Sequence, residues 1–341
     1  MKVLGLISSP HDPASRARII QYKKYFTDDG HTLTPRYFTP LKESNPQKWT
    51  YDVKKITGIN EWRSLDILKT AGRFPLLYSQ TGYDVIWQNR LLHPHHFFWE
   101  TKLSKPVVFD FDDAIWLIEG EKQVMRKIEI SSMIFAGNDY LADFASRYNK
   151  NVHIIPTTID TSSLFPLNKT PHRFTIGWIG TESNFKYLES IYQPLKDFLA
   201  FNKECRLMIV SSQLPNFIEP NTNQIIFKQW NAEKENEHIN EFSVGIMPLE
   251  DTEWTRGKCS YKLLQYLACG IPAIASPVGT NKKIIENSNT VIGASTNDEW
   301  LAAFNAIKNE PARLNDQKYI EENYSCQKWS TKIIDLLKTS I

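Results

Sequence analysis

Short apolar runs alternate along the chain with polar loops and with stretches whose apolar residues recur at helical spacing. Residues 2–7, 83–88, 106–109, 132–136 and 152–155 read as buried strands, as do 174–180, 206–211, 224–229, 244–249, 271–275 and 290–294. Between them Ile19, Tyr22 and Phe26 mark a helix with Ser15 as its expected cap and Gly30 after its end. Asn138 or Asp139 is the expected cap of another helix. A third helix is expected over 260–268, closed by Gly270. Residues 297–307 are amphipathic, and 327–338 place Trp329, Ile333, Ile334 and Leu337 on one face. The segment 42–70 is polar and helical in character. Strands alternating with helices predict parallel sheets. Residues 161–173, with Pro166 and Pro171 and no periodicity, are the expected linker between two such domains.

In open parallel sheets ligands bind at the carboxyl ends of the strands, so the residues there carry the candidate chemistry. The strand at 106–109 runs into Asp110, Asp112 and Asp113, and packed cores exclude unpaired charges. Arg16 and Arg18 stand in an expected first helical turn, where the helix dipole disfavours cations, which suggests that they face an anion. At 100° per residue Lys258, Lys262 and Gln265 share one stripe, if the helix reaches back to Lys258, with Leu263, Leu264 and Leu267 opposite. That stripe is either a solvated face or a cationic wall for a phosphorylated ligand. Gly180 and Thr181 end a strand before an expected helix N-terminus with Ser183 or Asn184 as cap, a second candidate anion site. Trp230 follows another strand and suits packing and base stacking equally. His93, His95 and His96 straddle Pro94 without an acidic partner at metal-binding spacing, so a cleft-lining loop with His93 near ligand is preferred to a metal site.

Length and charge narrow the classes. The 341 residues suit two domains, and a formal net charge of +2 argues against a nucleic-acid partner. The four cysteines form no CxxC or Cys/His pattern, which fits a reducing compartment. The apolar run at the amino terminus is too short for a signal peptide, and no run reaches the ~18 residues of a membrane span. A cytoplasmic protein is expected, with the inner membrane face as a further site of action.

The run KCSYKLLQYLACGIPAIASPVGTN resembles the donor-site signature of family-4 (group 1) glycosyltransferases. Gln265 stands where that family has a glutamate, and Gly257 where it often has another, eight residues earlier. DFDDAIW at 110–116, the arginine turn near 16–18 and IIPTTID at 154–160 extend the resemblance over most of the chain. It implies an α/β, GT-B-like fold: two Rossmann-like domains with parallel sheets facing across a cleft. Domains are then expected at 1–165 on the acceptor side and 166–322 on the donor side, with 323–341 a helix packing back on the first.

The resemblance implies a retaining transferase that takes sugar from a nucleoside diphosphate sugar, without metal or other cofactor. Lys258 and Lys262 would hold the diphosphate, and Asp112 and Asp113 would line the acceptor side with Arg16, Arg18, His93 and Asp110. Donor contacts would come from Gly180, Thr181, Lys186, Trp230, Glu250, Asp251, Gln265, Gly279, Thr280 and Asn281. The acceptor would be a glycan, a lipid-linked molecule or a small molecule, with peripheral membrane contact among the expected partners. Two alternatives stand beside it. One is a magnesium-dependent phosphatase using Asp110 and Asp112, although this motif stands far from the amino terminus and continues Asp-Ala-Ile-Trp. The other is a non-catalytic nucleotide-sugar-binding protein.

Overall fold

The structure is a computed structural model that describes residues 1–10, 12–37, 79–92, 97–167, 171–219, 223–309 and 316–341. The segment 42–70 and the loop holding His93, His95 and His96 lie outside the described residues. The chain divides into two compact units, Met1–Ile155 with Ser330–Ile341, and Pro156–Trp329.

The first unit holds a six-stranded sheet in the order β2-β1-β3-β4-β5-β6. Its strands are β1 (Lys2–Ile7), β2 (Thr32–Tyr37), β3 (Val85–Asn89), β4 (Val107–Phe111), β5 (Met133–Ala136) and β6 (Val152–Ile154), all paired in parallel. β3, β4 and β5 are buried along their whole length, which explains their uninterrupted apolar reading. β2 is absent from the sequence reading because Pro35 interrupts TLTPRY. It is an edge strand, where a residue without an N–H is tolerated.

The second unit repeats the plan in the order β12-β11-β10-β7-β8-β9, again all parallel. Here the strands are β7 (Thr175–Ile179), β8 (Arg206–Ser211), β9 (Ile225–Gln229), β10 (Val244–Met247), β11 (Ala273–Ala275) and β12 (Val291–Gly293). The helix Tyr261–Ala268 lays Leu263, Leu264 and Leu267 into the core beside Met208 and Val210 of β8. Gly270, with φ +68°, ends it as expected.

Residues just after Pro156 are tied to the second unit. The Ile159 N–H donates to the Tyr324 carbonyl at 2.8 Å, and Cys326 N–H donates to the Ile159 carbonyl at 2.9 Å. The last helix, Cys326–Thr339, buries Ile333, Ile334 and Leu337, the face read from the sequence. Its residues from Ser330 onward count with the first unit, where Ser340 Oγ lies 3.9 Å from Met133 Sδ. Among the described residues no helix is long and apolar enough to cross a membrane.

Candidate functional site

In the second unit the carboxyl ends of β7, β10 and β11 gather three connections. Gly180 follows β7, and its Cα faces Lys262. A Cβ built there would stand 2.8 Å from Lys262 Cε and 2.8 Å from the Trp178 ring, so a side chain at this place would displace the lysine from its present position. The Lys262 ammonium lies 5.7 Å from the Trp178 ring centroid, over its face. A cation and a bare backbone therefore meet at one strand end, which suits an anionic ligand.

The connection after β10 is stiffened by a reciprocal cap. Thr255 N–H donates to Thr252 Oγ1 and Thr252 N–H to Thr255 Oγ1, at 3.2 and 2.9 Å. The helix that follows starts only at Tyr261, behind Ser260 in a left-handed conformation with φ 58°. Lys258 thus precedes the helix instead of lying on its stripe, and its ammonium sits 5.3 Å from the Trp254 ring centroid. Ser260 is held in place by Asn281: Ser260 Oγ donates to Asn281 Oδ1 at 2.6 Å, and Asn281 Nδ2 donates to the Ser276 carbonyl at 3.0 Å. Asn281 is fully buried, and its amide joins the loops after β10 and β11 instead of facing a ligand. Gly279 has φ +53°, and a Cβ there would lie 2.8 Å from the Arg256 carbonyl oxygen, so the two loops touch through backbone. Thr280 opens the following helix, Thr280–Asn287.

Gln265 departs from the outward stripe. It is only 2% exposed, and its Nε2 has no hydrogen-bond partner among the described residues. Four further expected donor contacts have these surroundings. Asp251 is turned to Arg256, with Arg256 Nε donating at 2.6 Å and Nη2 at 3.1 Å, both residues exposed. Glu250 is exposed. Trp230 is partly buried and donates through Nε1 to Glu235 Oε1 at 3.0 Å, so packing explains its place. Lys186 is exposed with its ammonium 5.0 Å from the Tyr187 ring centroid. The segment after Gly180 also opens differently. Thr181 leads into a 3₁₀ turn, Glu182–Asn184, and the α-helix Phe185–Glu189 behind it is a single short piece. Asn184 holds the N-cap position of that helix, as expected, but makes no side-chain capping bond. Asn184 Nδ2 donates back to Thr181 Oγ1 at 2.8 Å. This turn carries the acid Glu182 and is a poor anion site.

In the first unit the ends of β3 and β4 carry the charged cluster. The cap of the first helix is Asp12, which accepts from Ser15 N–H at 2.8 Å, three residues ahead of the expected cap. Arg18 closes that helix and is buried against Asp110. Its Nε donates to Oδ1 at 2.8 Å and its Nη2 to Oδ2 at 3.1 Å. Arg16 and Arg18 fall in the last turn of this short helix, not the first, where the dipole favours cations, and the anion that Arg18 faces is a protein carboxylate. Trp87 Nε1 donates to Asp110 Oδ2 at 3.0 Å, and Asn89 Nδ2 lies 3.4 Å from Oδ1. Arg16 is half-buried. Asp110 is fully enclosed, and it organises the strand ends instead of meeting a ligand.

Asp112 and Asp113 stand just beyond β4 and are separated by one neighbour, Arg90. Arg90 Nη2 donates to Asp113 Oδ2 at 2.8 Å but lies 3.9 Å from Asp112 Oδ1. Burial first, and the Asp113 charge second, push the Asp112 carboxyl up to about 7. Glu119 is likewise pushed up to about 7, chiefly by burial, while Arg90 and the Leu91 N–H oppose the shift. Arg90 is held above its ordinary range because the surrounding carboxylates outweigh the desolvation of its charge. Its φ of 64° is a left-handed conformation that a side chain adopts at a cost. The turn is fixed by Gln88 Nε2 donating to the Arg90 carbonyl at 2.8 Å and by Arg90 N–H donating to the Asp110 carbonyl at 3.0 Å.

The sequence reading passed over Asn89, Arg90 and Glu119. The first two were within reach, since polar residues ending a parallel strand had already singled out the aspartates. Glu119 has no such signal, because the fold alone brings it to Leu91. Behind this edge Lys127 Nζ and Glu100 Oε2 form a buried ion pair at 2.6 Å, with Gln88 Nε2 donating to both Glu100 oxygens at 3.1 Å.

Comparison with known proteins agrees with this architecture. Residues 173–309 match the family model described as glycosyl transferases group 1. The fold resembles Anabaena HepE, crystallised with UDP and glucose, at a TM-score of 0.69 and 12% identity, covering 99% of this chain and 100% of that one. It also resembles a sucrose-phosphate synthase from Thermosynechococcus elongatus, at 0.70 and 14%, covering 99% of both chains. TarM matches at 0.72 and 8%, covering 98% of both. A comparison with curated protein sequences finds no significant match. At such identities the structural likeness establishes the fold, which is GT-B.

Proposed function

From the premise that residues 173–309 are a group 1 glycosyltransferase domain in a chain of GT-B fold, we propose that this protein transfers a sugar from a nucleoside diphosphate sugar to a hydroxyl acceptor with retention of anomeric configuration. The observation that carries the reading is the meeting of Lys262 with the bare backbone of Gly180 at the end of β7. Negative charge builds on the diphosphate as the glycosidic bond breaks. An ammonium fixed beside it is worth more in the transition state than in the ground state, and it serves this purpose without a metal. Lys258 is a second cation on the same edge. The buried Gln265 Nε2 has a donor to offer, and a ribose hydroxyl oxygen is a fitting acceptor for it.

The first unit supplies the acceptor side. Asp112 and Asp113 stand just beyond the end of β4, and Asp112, the carboxyl that burial pushes up to about 7, is the group proposed to accept from the incoming hydroxyl. The acceptor is a glycan, a lipid-linked molecule or a small molecule, taken up in the cytoplasm or at the inner membrane face. The phosphatase reading is not favoured, because its nucleophile would be Asp110, whose carboxylate is already held by Arg18 and Trp87.

Thermal-shift measurements with UDP-, GDP-, ADP- and CMP-sugars, followed by NMR of the product anomer, test the proposal. A donor that binds native protein raises its midpoint. Absence of any shift with the UDP-, GDP- and ADP-sugars, a shift with the singly phosphorylated CMP-sugar alone, or an inverted anomer would refute it. Donor binding without turnover would identify a nucleotide-sugar-binding protein instead.

A further inference from the structure

The helix Tyr261–Ala268 begins behind a residue whose backbone suits glycine. Ser260 has φ 58° and ψ 25°, the left-handed region, which a side chain adopts at a cost. Two residues to either side of this break stand the candidate cations, Lys258 before it and Lys262 after it. Lys258 N–H donates to the Thr255 carbonyl at 3.1 Å, so Lys258 belongs to the turn behind the short helix Glu253–Arg256. Leu264 N–H donates to the Ser260 carbonyl at 3.2 Å, the first bond of the helix that carries Lys262. A right-handed backbone at Ser260 would let that helix run back to Lys258. The two lysines would then be neighbours four residues apart on one helical face, where like charges repel.

What holds the break is the Asn281 amide. Ser260 Oγ donates to Asn281 Oδ1 at 2.6 Å, and Asn281 Nδ2 donates to the Ser276 carbonyl at 3.0 Å. An amide meets both demands at once, and the carbonyl on one side fixes which way it points. Ser276 is anchored in turn to the end of β10. Its N–H donates to the Met247 carbonyl at 3.2 Å, and its Oγ accepts from Leu249 N–H at 3.0 Å. Ser260, Ser276 and Asn281 are all buried, so water does not compete for these bonds.

We propose that Asn281 is a positioning residue of the donor site. Its amide holds Ser260 left-handed and so keeps Lys258 and Lys262 on two separate segments, one beside Trp254 and the other beside Trp178 and Gly180. That this separation serves the grip on a diphosphate rests on the transferase reading.

Hydrogen exchange reads the latch without any ligand, and titration of UDP, GDP and ADP beside UMP, GMP and AMP reads its use. Ser260→Ala and Asn281→Ala are each expected to speed exchange of the Leu264 N–H ~10-fold. Each is also expected to weaken the best-bound diphosphate ~10-fold and to change its monophosphate by less than ~3-fold. Ser260→Gly loses the hydroxyl but adopts the left-handed conformation freely, and it should bind the diphosphate within ~3-fold of wild type. The same glycine introduced into Asn281→Ala should recover diphosphate binding. If the tie served packing alone, glycine at 260 would be no better than alanine. Wild-type exchange at Leu264 in both alanine variants, equal loss of monophosphate and diphosphate, or a loss in Ser260→Gly as great as in Ser260→Ala overturns the proposal. The comparison at 260 decides even if Asn281→Ala does not fold. If wild-type protein binds none of the three diphosphates, the transferase reading fails, and exchange at Leu264 still decides whether Asn281 sets the start of the helix.

Discussion

Arg18 reaches from the first helix to Asp110 at the end of β4 and grips it with two hydrogen bonds, both partners removed from solvent. Breaking such a pair leaves a charge buried without compensation, at a cost of about 3–5 kcal/mol. Arg18→Met should lower the unfolding free energy by that order, and Asp110→Leu in the same chain should restore only part of it, because Trp87 Nε1 then loses its acceptor. If Arg18→Met unfolds at the wild-type midpoint, the pair is not what organises the strand ends.

Lys262→Ala should reduce turnover by ~10²–10³ and weaken diphosphate binding, while the melting midpoint stays near wild type. Gly180→Ala should act in the same direction by pushing the lysine aside, since its Cβ would meet Lys262 Cε at 2.8 Å. Wild-type kinetics in folded Lys262→Ala would remove the central support for the proposed donor site.

Gln265 offers a separation of stability from binding. A buried unsatisfied donor costs about 1–3 kcal/mol, so replacing it with a hydrocarbon of similar shape should leave the free protein equally stable or more stable. Gln265→Leu is therefore expected to hold or raise the melting midpoint of the free protein and to lose nucleotide affinity. A variant that melts lower without ligand and binds nucleotide unchanged would assign the amide to the fold.

Asp112 and Glu119 give the protein a pH signature. Each has a folded pKa of about 7, well above its ordinary carboxyl value. Between the ordinary value and about 7 the folded state binds more protons than the unfolded state. These groups therefore make stability fall as pH rises through that window, with no further change above it. Urea unfolding should show Asp112→Asn matching wild type near pH 4 and exceeding it at pH 7.5. The rate of transfer should rise over the same window as Asp112 ionises to accept the acceptor hydroxyl. A stability difference between wild type and Asp112→Asn that does not grow with pH would contradict this.

The alternation of apolar strands and amphipathic helices was decided by the sequence, because fully buried strands need uninterrupted apolar runs and helices need a 3.6-residue period. Leu263, Leu264 and Leu267 went to the core, and Gly270 ended their helix, for reasons local to that stretch. The lysine at 262 could be singled out because its type, its spacing from the leucines and its nearness to a strand end are all written in one segment. What it meets is not written there. Trp178 lies on β7 and Gly180 just after it, and only the folding of the sheet brings them to Lys262. The same holds for the charges. From the sequence Asp112 and Asp113 were candidate catalytic groups, with Arg18 and Asp110 beside them on the acceptor side. Tertiary structure buried Arg18 and Asp110 as partners, pinned Asp113 to Arg90, and left Asp112 desolvated at the edge. Periodicity decides which face of an element is buried. Which charges neutralise one another depends on distances between residues far apart in the chain, and those exist only once the sheets have formed.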